Sequence, residues 1–136
     1  MRRQDIIDAI KTRLSAIDGI NNVYEWTAIN LNREELPAVI IRDVADNANN
    51  DTSGSTIHNL NIEIDIVVSA GDTSMQDLRV FMLKVLKSLE EKDDEEDIVC
   101  YREFSGDEMI SAQDTNFYAG ARLKVLFKYA AEKWEM

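Results

Sequence analysis

Residues 59–68 constrain this chain more than any other segment. Leu60, Ile62, Ile64, Ile66 and Val68 alternate with Asn59, Asn61, Glu63, Asp65 and Val67. Successive side chains of an extended chain point to opposite sides, so this period of two predicts a β-strand with one apolar face buried and the other mostly wet. A second run near the end repeats the pattern. Phe117, Ala119, Ala121, Leu123, Val125, Phe127 and Tyr129 alternate with Tyr118, Arg122, Lys124 and Lys128. Its polar side gathers bases, which suits it to meet an acidic surface. Two long one-sided strands need a layer to cover their apolar faces.

Two segments supply that layer. In 5–17, Ile6, Ile10, Leu14 and Ile17 fall at helical spacing and Ile7 widens the stripe, with Asp5, Asp8, Lys11 and Arg13 elsewhere. Asp18-Gly19 ends this helix, because glycine readily takes the left-handed conformation of a C-cap. In 74–90, Leu78, Phe81, Met82, Val85 and Leu89 share one face, broadened by Leu83 and Leu86. Ala70-Gly71-Asp72 reads as a turn before it, and Thr73 to Gln76 as a capping box. The chemistry of this Met and aromatic stripe is that of a core. The fold class that follows is α+β, with two helices packed on one face of a mixed, mostly antiparallel sheet of four to five strands.

The remaining segments fill in the sheet. Val23, Tyr24 and Trp26 suit a short strand, followed by a polar loop at 30–35. Leu36-Pro37 opens a buried strand at Ala38, Val39, Ile40 and Ile41, where proline's missing N–H does no harm at the first residue. This strand is expected to pair with 60–68 as a hairpin. Between them lies ADNANNDTSGST, residues 45–56, with no large apolar residue. Such a stretch cannot offset the entropy of ordering by burying apolar surface, and we read it as a long mobile loop at the hairpin tip. Residues 98–104 form a strand, 105–107 a turn, and 108–113 a weaker strand. The end, 132–136, is expected to fray. Neither a repeat nor a linker divides the chain, so 1–136 is taken as a single domain.

Charge limits the partners. The chain has 136 residues, 15 basic and 26 acidic, for a net charge of −11. Residues 90–97, EEKDDEED, carry seven acids and one lysine, hence −6, more than half of that imbalance. Acids at a helix C-terminus oppose its dipole, so Asp93, Asp94, Glu95, Glu96 and Asp97 read as a solvated connection after the second helix. A chain without a basic cluster should be repelled by nucleic acid, whose binding proteins neutralise phosphates. No apolar run approaches the roughly 20 residues of a membrane-spanning helix, and nothing at the N-terminus suggests export.

Catalytic equipment is sparse. The chain has one histidine, His58, and one cysteine, Cys100. His58 lies where the polar loop meets a strand, a place for an ordinary surface or strand-end histidine, and no GxSxG elbow surrounds any serine. Cys100, between apolar neighbours, reads as a small buried thiol in a reducing compartment. One Cys and one His exclude a structural zinc site. The acidic run lacks the glycine that a calcium loop needs at its sixth position, where a loop begun at Asp93 has Ile98. Phosphate-cradling glycine motifs are absent. We expect no enzyme activity, no cofactor and no metal.

The order of elements resembles the tail terminator and minor tail proteins of long-tailed bacteriophages and prophages. The resemblance is carried by the opening helix 5–17, LPAVIIRD at 36–43, the polar segment 45–56, LNIEIDIVV at 60–68, the helix 74–90 and FYAGARLKVLFKYA at 117–130. It spans nearly the whole chain, on patterns rather than signature residues. It implies a structural protein that caps the tail tube as a ring, commonly a hexamer, stops tube growth and presents the head-side joining surface. The implied partners are other copies of the chain, the tube protein and a head-completion protein, in the bacterial cytoplasm during assembly and then in the virion tail. By that analogy Asp46, Asn47, Asn49, Asn50 and Asp51 are candidates for tube contact. Asp93, Asp94, Glu95, Glu96 and Asp97 are candidates for a rim or lumen, where acids let DNA pass without adhering. The alternatives are another neck or baseplate component, such as a head–tail connector, and a bacterial protein-binding adaptor unrelated to phage.

Overall fold

The two alternating runs do become the centre of a sheet. A computed structural model describes residues 3–26, 33–50, 55–69, 74–90, 101–111 and 118–132. In chain order the elements are α1 (Arg3–Ser15), β1 (Asn22–Glu25), a short 3-10 turn (Arg33–Glu35), β2 (Ala38–Asn50), β3 (Ser55–Ser69), α2 (Ser74–Glu90), β4 (Tyr101–Ser111) and β5 (Tyr118–Glu132). The five strands form one sheet in the order β1-β2-β3-β5-β4. β1 runs parallel to β2 and every other pairing is antiparallel. The architecture is α+β.

Both helices lie on one face. Ile6, Ile10 and Leu14 of α1 and Leu78, Val85 and Leu89 of α2 share a single core with the alternate residues of β3 and β5. Leu60, Ile62, Ile64, Ile66, Leu123 and Phe127 are among its fully buried side chains. Each such side chain contributes roughly 1.5–3 kcal/mol of burial, which is why the period of two specifies which face turns inward. α1 begins two residues earlier than the apolar stripe suggests and ends at Ser15, so Ile17 packs on the core from beyond the helix. Gly19 then turns the chain with φ +94°, the left-handed conformation expected of it, against the ring of Phe81. α2 spans the expected residues.

The opposite face is not simply wet. Leu36, Ala38, Ile40 and Val67, with Tyr24 against them, form a second small core there, and Asp65 is buried beside it. Tyr24 donates to Glu35 Oε2 at 2.8 Å. That bond raises the tyrosine's pKa above its ordinary value.

Three expectations are corrected. Residues 45–56 are not a long mobile loop, because β2 runs to Asn50 and β3 starts at Ser55, with pairing continuing out to Asn50↔Thr56. Strand order there does not depend on apolar side chains. Backbone ladders on both sides of β3 supply it, since β5 pairs with β3 as far as Ser55↔Glu132. We call this distal three-stranded part, 45–50 with 55–60 and 127–132, the arm. Residues 105–107 are not a turn between two strands either. β4 is continuous, and Ser105 is skipped in the ladder between Phe104 and Gly106 as a β-bulge. Gly106 has φ +144°, a conformation that a residue without Cβ adopts easily. The expected fraying at 132 is also displaced, since Glu132 still pairs. The turn at 70–72, Thr73 of the capping box, Cys100, the acidic connection at 93–97 and the residues 133–136 lie outside the described residues.

Candidate functional site

A bulge decides what the arm can hold. Asp43 pairs with Ile62 and Ala45 with Asn61, so Val44 is the extra residue. Before it, Val39, Ile41 and Asp43 point to the helical side; after it, Asp46 does. The shift places the Asp46 carboxylate above the end of the core with its side chain only 4% exposed.

A buried carboxylate needs hydrogen-bond donors, and three elements supply them. His58 of β3 meets Asp46 Oδ1 through Nδ1 at 2.9 Å. Tyr129 of β5 donates its hydroxyl to Oδ2 at 2.8 Å. Arg3, at the start of α1, stands with Nη1 4.0 Å from Oδ2. The His58 and Tyr129 rings stack, with centroids 4.7 Å apart and planes 13° from parallel. Burial first, then the Asp46 hydrogen bond and charge, hold the Tyr129 pKa far above the ordinary tyrosine value, against an opposing effect of Arg3. The hydroxyl therefore stays protonated and keeps donating.

The same arginine ties in a second acid. Arg3 Nε donates to Asp43 Oδ2 at 2.6 Å, and the Trp26 indole donates to Oδ1 at 2.5 Å. Burial works against the Asp43 carboxylate, but the Trp26 and Arg3 hydrogen bonds and its own amide outweigh it and hold the pKa below the usual carboxylate range. Trp26 itself has φ +46°, uncommon for a bulky residue. Its N–H donates to the Ile41 carbonyl at 3.2 Å and the Arg42 guanidinium lies 6.0 Å from its ring centroid. The cluster thus joins the start of α1, the end of β1 and three strands.

His58 is consequently no surface histidine. It is 5% exposed, with its Nδ1 committed and its ring stacked. Both Asp46 oxygens are likewise engaged, so the arrangement braces the arm on the body rather than presenting a base to a bound molecule. Among the described residues no group of three or more His, Cys, Asp or Glu is placed to hold a metal ion. Among them also, no helix is long and apolar enough to cross a membrane.

On the helix-free face, charges interlock. Arg122 of β5 donates to Asp65 at 2.8 and 3.2 Å and to Glu108 Oε1 of β4 at 3.3 Å, and lies 3.5 Å from Glu63 Oε2. Arg42 of β2 pairs with Asp65 from the other side. Burial, then the proximity of Arg122, lower the Arg42 pKa, while Glu63 opposes. The acidic surface that the basic side of β5 meets belongs in part to its own chain.

The sequence-derived candidates divide accordingly. Asp46 points into the brace. Asn47 and Asn49 are exposed on the helix-free side of the arm, opposite Asn59 and Ile57. Asn50 closes the ladder against Thr56. Asp51, Asp93, Asp94, Glu95, Glu96 and Asp97 lie outside the described residues. Arg3, Asp43 and Tyr129 were missed as site residues. The phase of the alternation carried part of the signal, since His58 is in step with Leu60 and Tyr129 with Phe127. No protein-family model matches the chain, and no curated protein does.

Proposed function

We propose that this chain is a structural assembly subunit of the tail-terminator type, which caps a phage or prophage tail tube as a ring, ends its growth and offers the head-side joining surface. The observation that carries the reading is the arm. Its outer strand runs past the Val44 bulge without a large apolar side chain, is braced by Asp46, His58 and Tyr129, and displays Asn47 and Asn49 outward. Amides on a rigid strand give directional hydrogen bonds to a partner without the ordering entropy that a mobile loop loses on binding.

The test is tube growth. A polymerising phage tail-tube protein is mixed with the purified chain, and tube lengths and end density are read by electron microscopy. Shortened tubes with a ring at one end are expected, and Asn47→Arg with Asn49→Arg should abolish the effect while leaving thermal unfolding unchanged. Tubes of unaltered length with bare ends overturn the reading. Binding to a portal ring instead moves the assignment to a head–tail connector.

A further inference from the structure

The two outer edges of the sheet are guarded differently. β4 forms one, with Glu103, Asp107 and Glu108 exposed along it. Two copies meeting there would set acid against acid. At the other edge β1 ends its ladder at Glu25↔Ile41, and Trp26, at φ +46°, turns the chain out of the extended conformation. Beyond that point β2 runs on to Asn50, and among the described residues no strand pairs with its outer side. Residues 45–50, ADNANN, hold neither proline nor lysine, the usual guards of an edge. Their one charge, Asp46, is turned into the brace. In a chain of net charge −11, this is the edge that two copies can approach.

Register decides which backbone groups face outward there. Asn21 and Trp26 donate to the carbonyls of Pro37 and Ile41, so in early β2 the odd residues face β1 and the even ones face β3. Arg42 therefore bonds across to Glu63. β3 stays regular against β5 from Ser55 to Ser69, so Asn61, Asn59 and Ile57 face β2 as Glu63 does. They take up the backbone groups of Ala45, Asn47 and Asn49. The N–H and C=O groups of Asp46, Ala48 and Asn50 are left on the outer side, spaced symmetrically about Ala48.

The geometry points to the same edge of a second copy as the occupant, the two β2 strands pairing antiparallel about a two-fold axis at Ala48. Ala48 then faces its equivalent, and Asp46 faces Asn50 of the other copy on either side, each such pair exchanging two backbone hydrogen bonds. Asn47 faces Asn49 of the other copy in the closely spaced pairs between them. A carboxamide carries both donors and an acceptor, so its own kind satisfies it. Within 45–50 this register alone uses all three outward residues, and it sets no acid against an acid. The contact is isologous and closes at two copies. It goes beyond the proposed cap and does not depend on it. A strip this short falls below the roughly 1,200 Å² of a stable interface, so the dimer should be weak, dissociating at about 0.1–1 mM.

Sedimentation equilibrium of the full chain from about 10 μM to about 2 mM tests the contact, with amide exchange measured at both ends of that range. The mass should rise towards two copies. The amides of Asp46, Ala48 and Asn50 should gain protection with concentration, while those of Asn47 and Asn49, held by β3, stay protected throughout. Ala48→Pro removes one outward donor from each copy and should weaken association about tenfold or more. Asn47→Lys with Asn49→Lys should do the same, because lysine then faces lysine. Asn47→Asp with Asn49→Asp should also fail alone, yet pair with the lysine variant on mixing, a rescue that misfolded variants could not give. A wild type that stays monomeric throughout, or variants that associate as well as the wild type, overturns the contact. Protection at Asp46, Ala48 and Asn50 that ignores concentration also overturns it, since the edge is then covered within its own chain.

Discussion

β2 and β3 form one continuous ladder, but its two halves are held by different physics. In the body, Val39 and Ile41 pair with Ile66 and Ile64 under two helices, and stability comes from many non-directional contacts. In the arm, Asp46 and Ala48 pair with Leu60 and His58, and β2 itself brings no large apolar side chain, while Leu60, Phe127, Tyr129 and Ala131 of the other two strands still belong to the core. There the directional bonds to one carboxylate fasten β2 in addition to the burial that β3 and β5 supply. The comparison teaches that a strand's existence follows from its neighbours' ladders, while what fastens it to the rest depends on which side chains face in.

The largest effect belongs to the body. Ile64→Ala, at a fully buried position, should cost about 2–5 kcal/mol, read as a lower urea midpoint for the whole chain. Asp46→Asn should come next at about 1–3 kcal/mol, since the donors around it lose a charged acceptor in a buried place. Amide exchange should then speed up at 46–50 and 56–60 while 62–68 stay protected. Equal acceleration in both halves breaks the comparison.

Tyr129→Phe should cost about 1 kcal/mol near neutral pH. Its pH dependence sharpens the point. The folded pKa is raised, so the hydroxyl's contribution is complete below the unfolded value of about 10 and declines as pH climbs through and beyond it. Unfolding free energies between pH 8 and 11 should fall more steeply for the wild type than for Tyr129→Phe. Asp43 has the opposite sign. Its pKa is depressed, so its stabilisation is present above the unfolded value of about 4 and fades as pH drops below it. Asp43→Asn should flatten the acid slope, followed by far-ultraviolet circular dichroism. The smallest effect is expected on the helix-free face. Glu108→Gln should change stability by under about 1 kcal/mol, because its ion pair with Arg122 is partly exposed and screened by solvent.

Much of this architecture was legible in the chain itself. The period of two at 59–68 and 117–129 and the helical stripe at 74–90 are statements about which side chains must leave water, and burial enforces them wherever a covering layer exists. The inward phase of Tyr129 was legible for the same reason, whereas His58, though in step with Leu60, reads from its polar surroundings as a surface or strand-end residue and is buried. The bulges at Val44 and Ser105 were not, because an extra residue is marked only by its partner's register. Without the first bulge, Asp46 continues the outward phase of Arg42 and reads as a solvent-facing acid. The polar segment 45–50 looked like a loop because composition records the apolar surface a strand can bury, and not the two ladders waiting beside β3.

Local pattern, then, determined the helices, the two central strands and the α+β class, since each depends on residues close in sequence and on a single burial rule. Tertiary structure alone decided that α1 delivers Arg3 to Asp43 and Asp46, and that β5 brings Tyr129 to a carboxylate 83 positions away. Those meetings depend on strand order and register, which are set by the packing of the whole sheet.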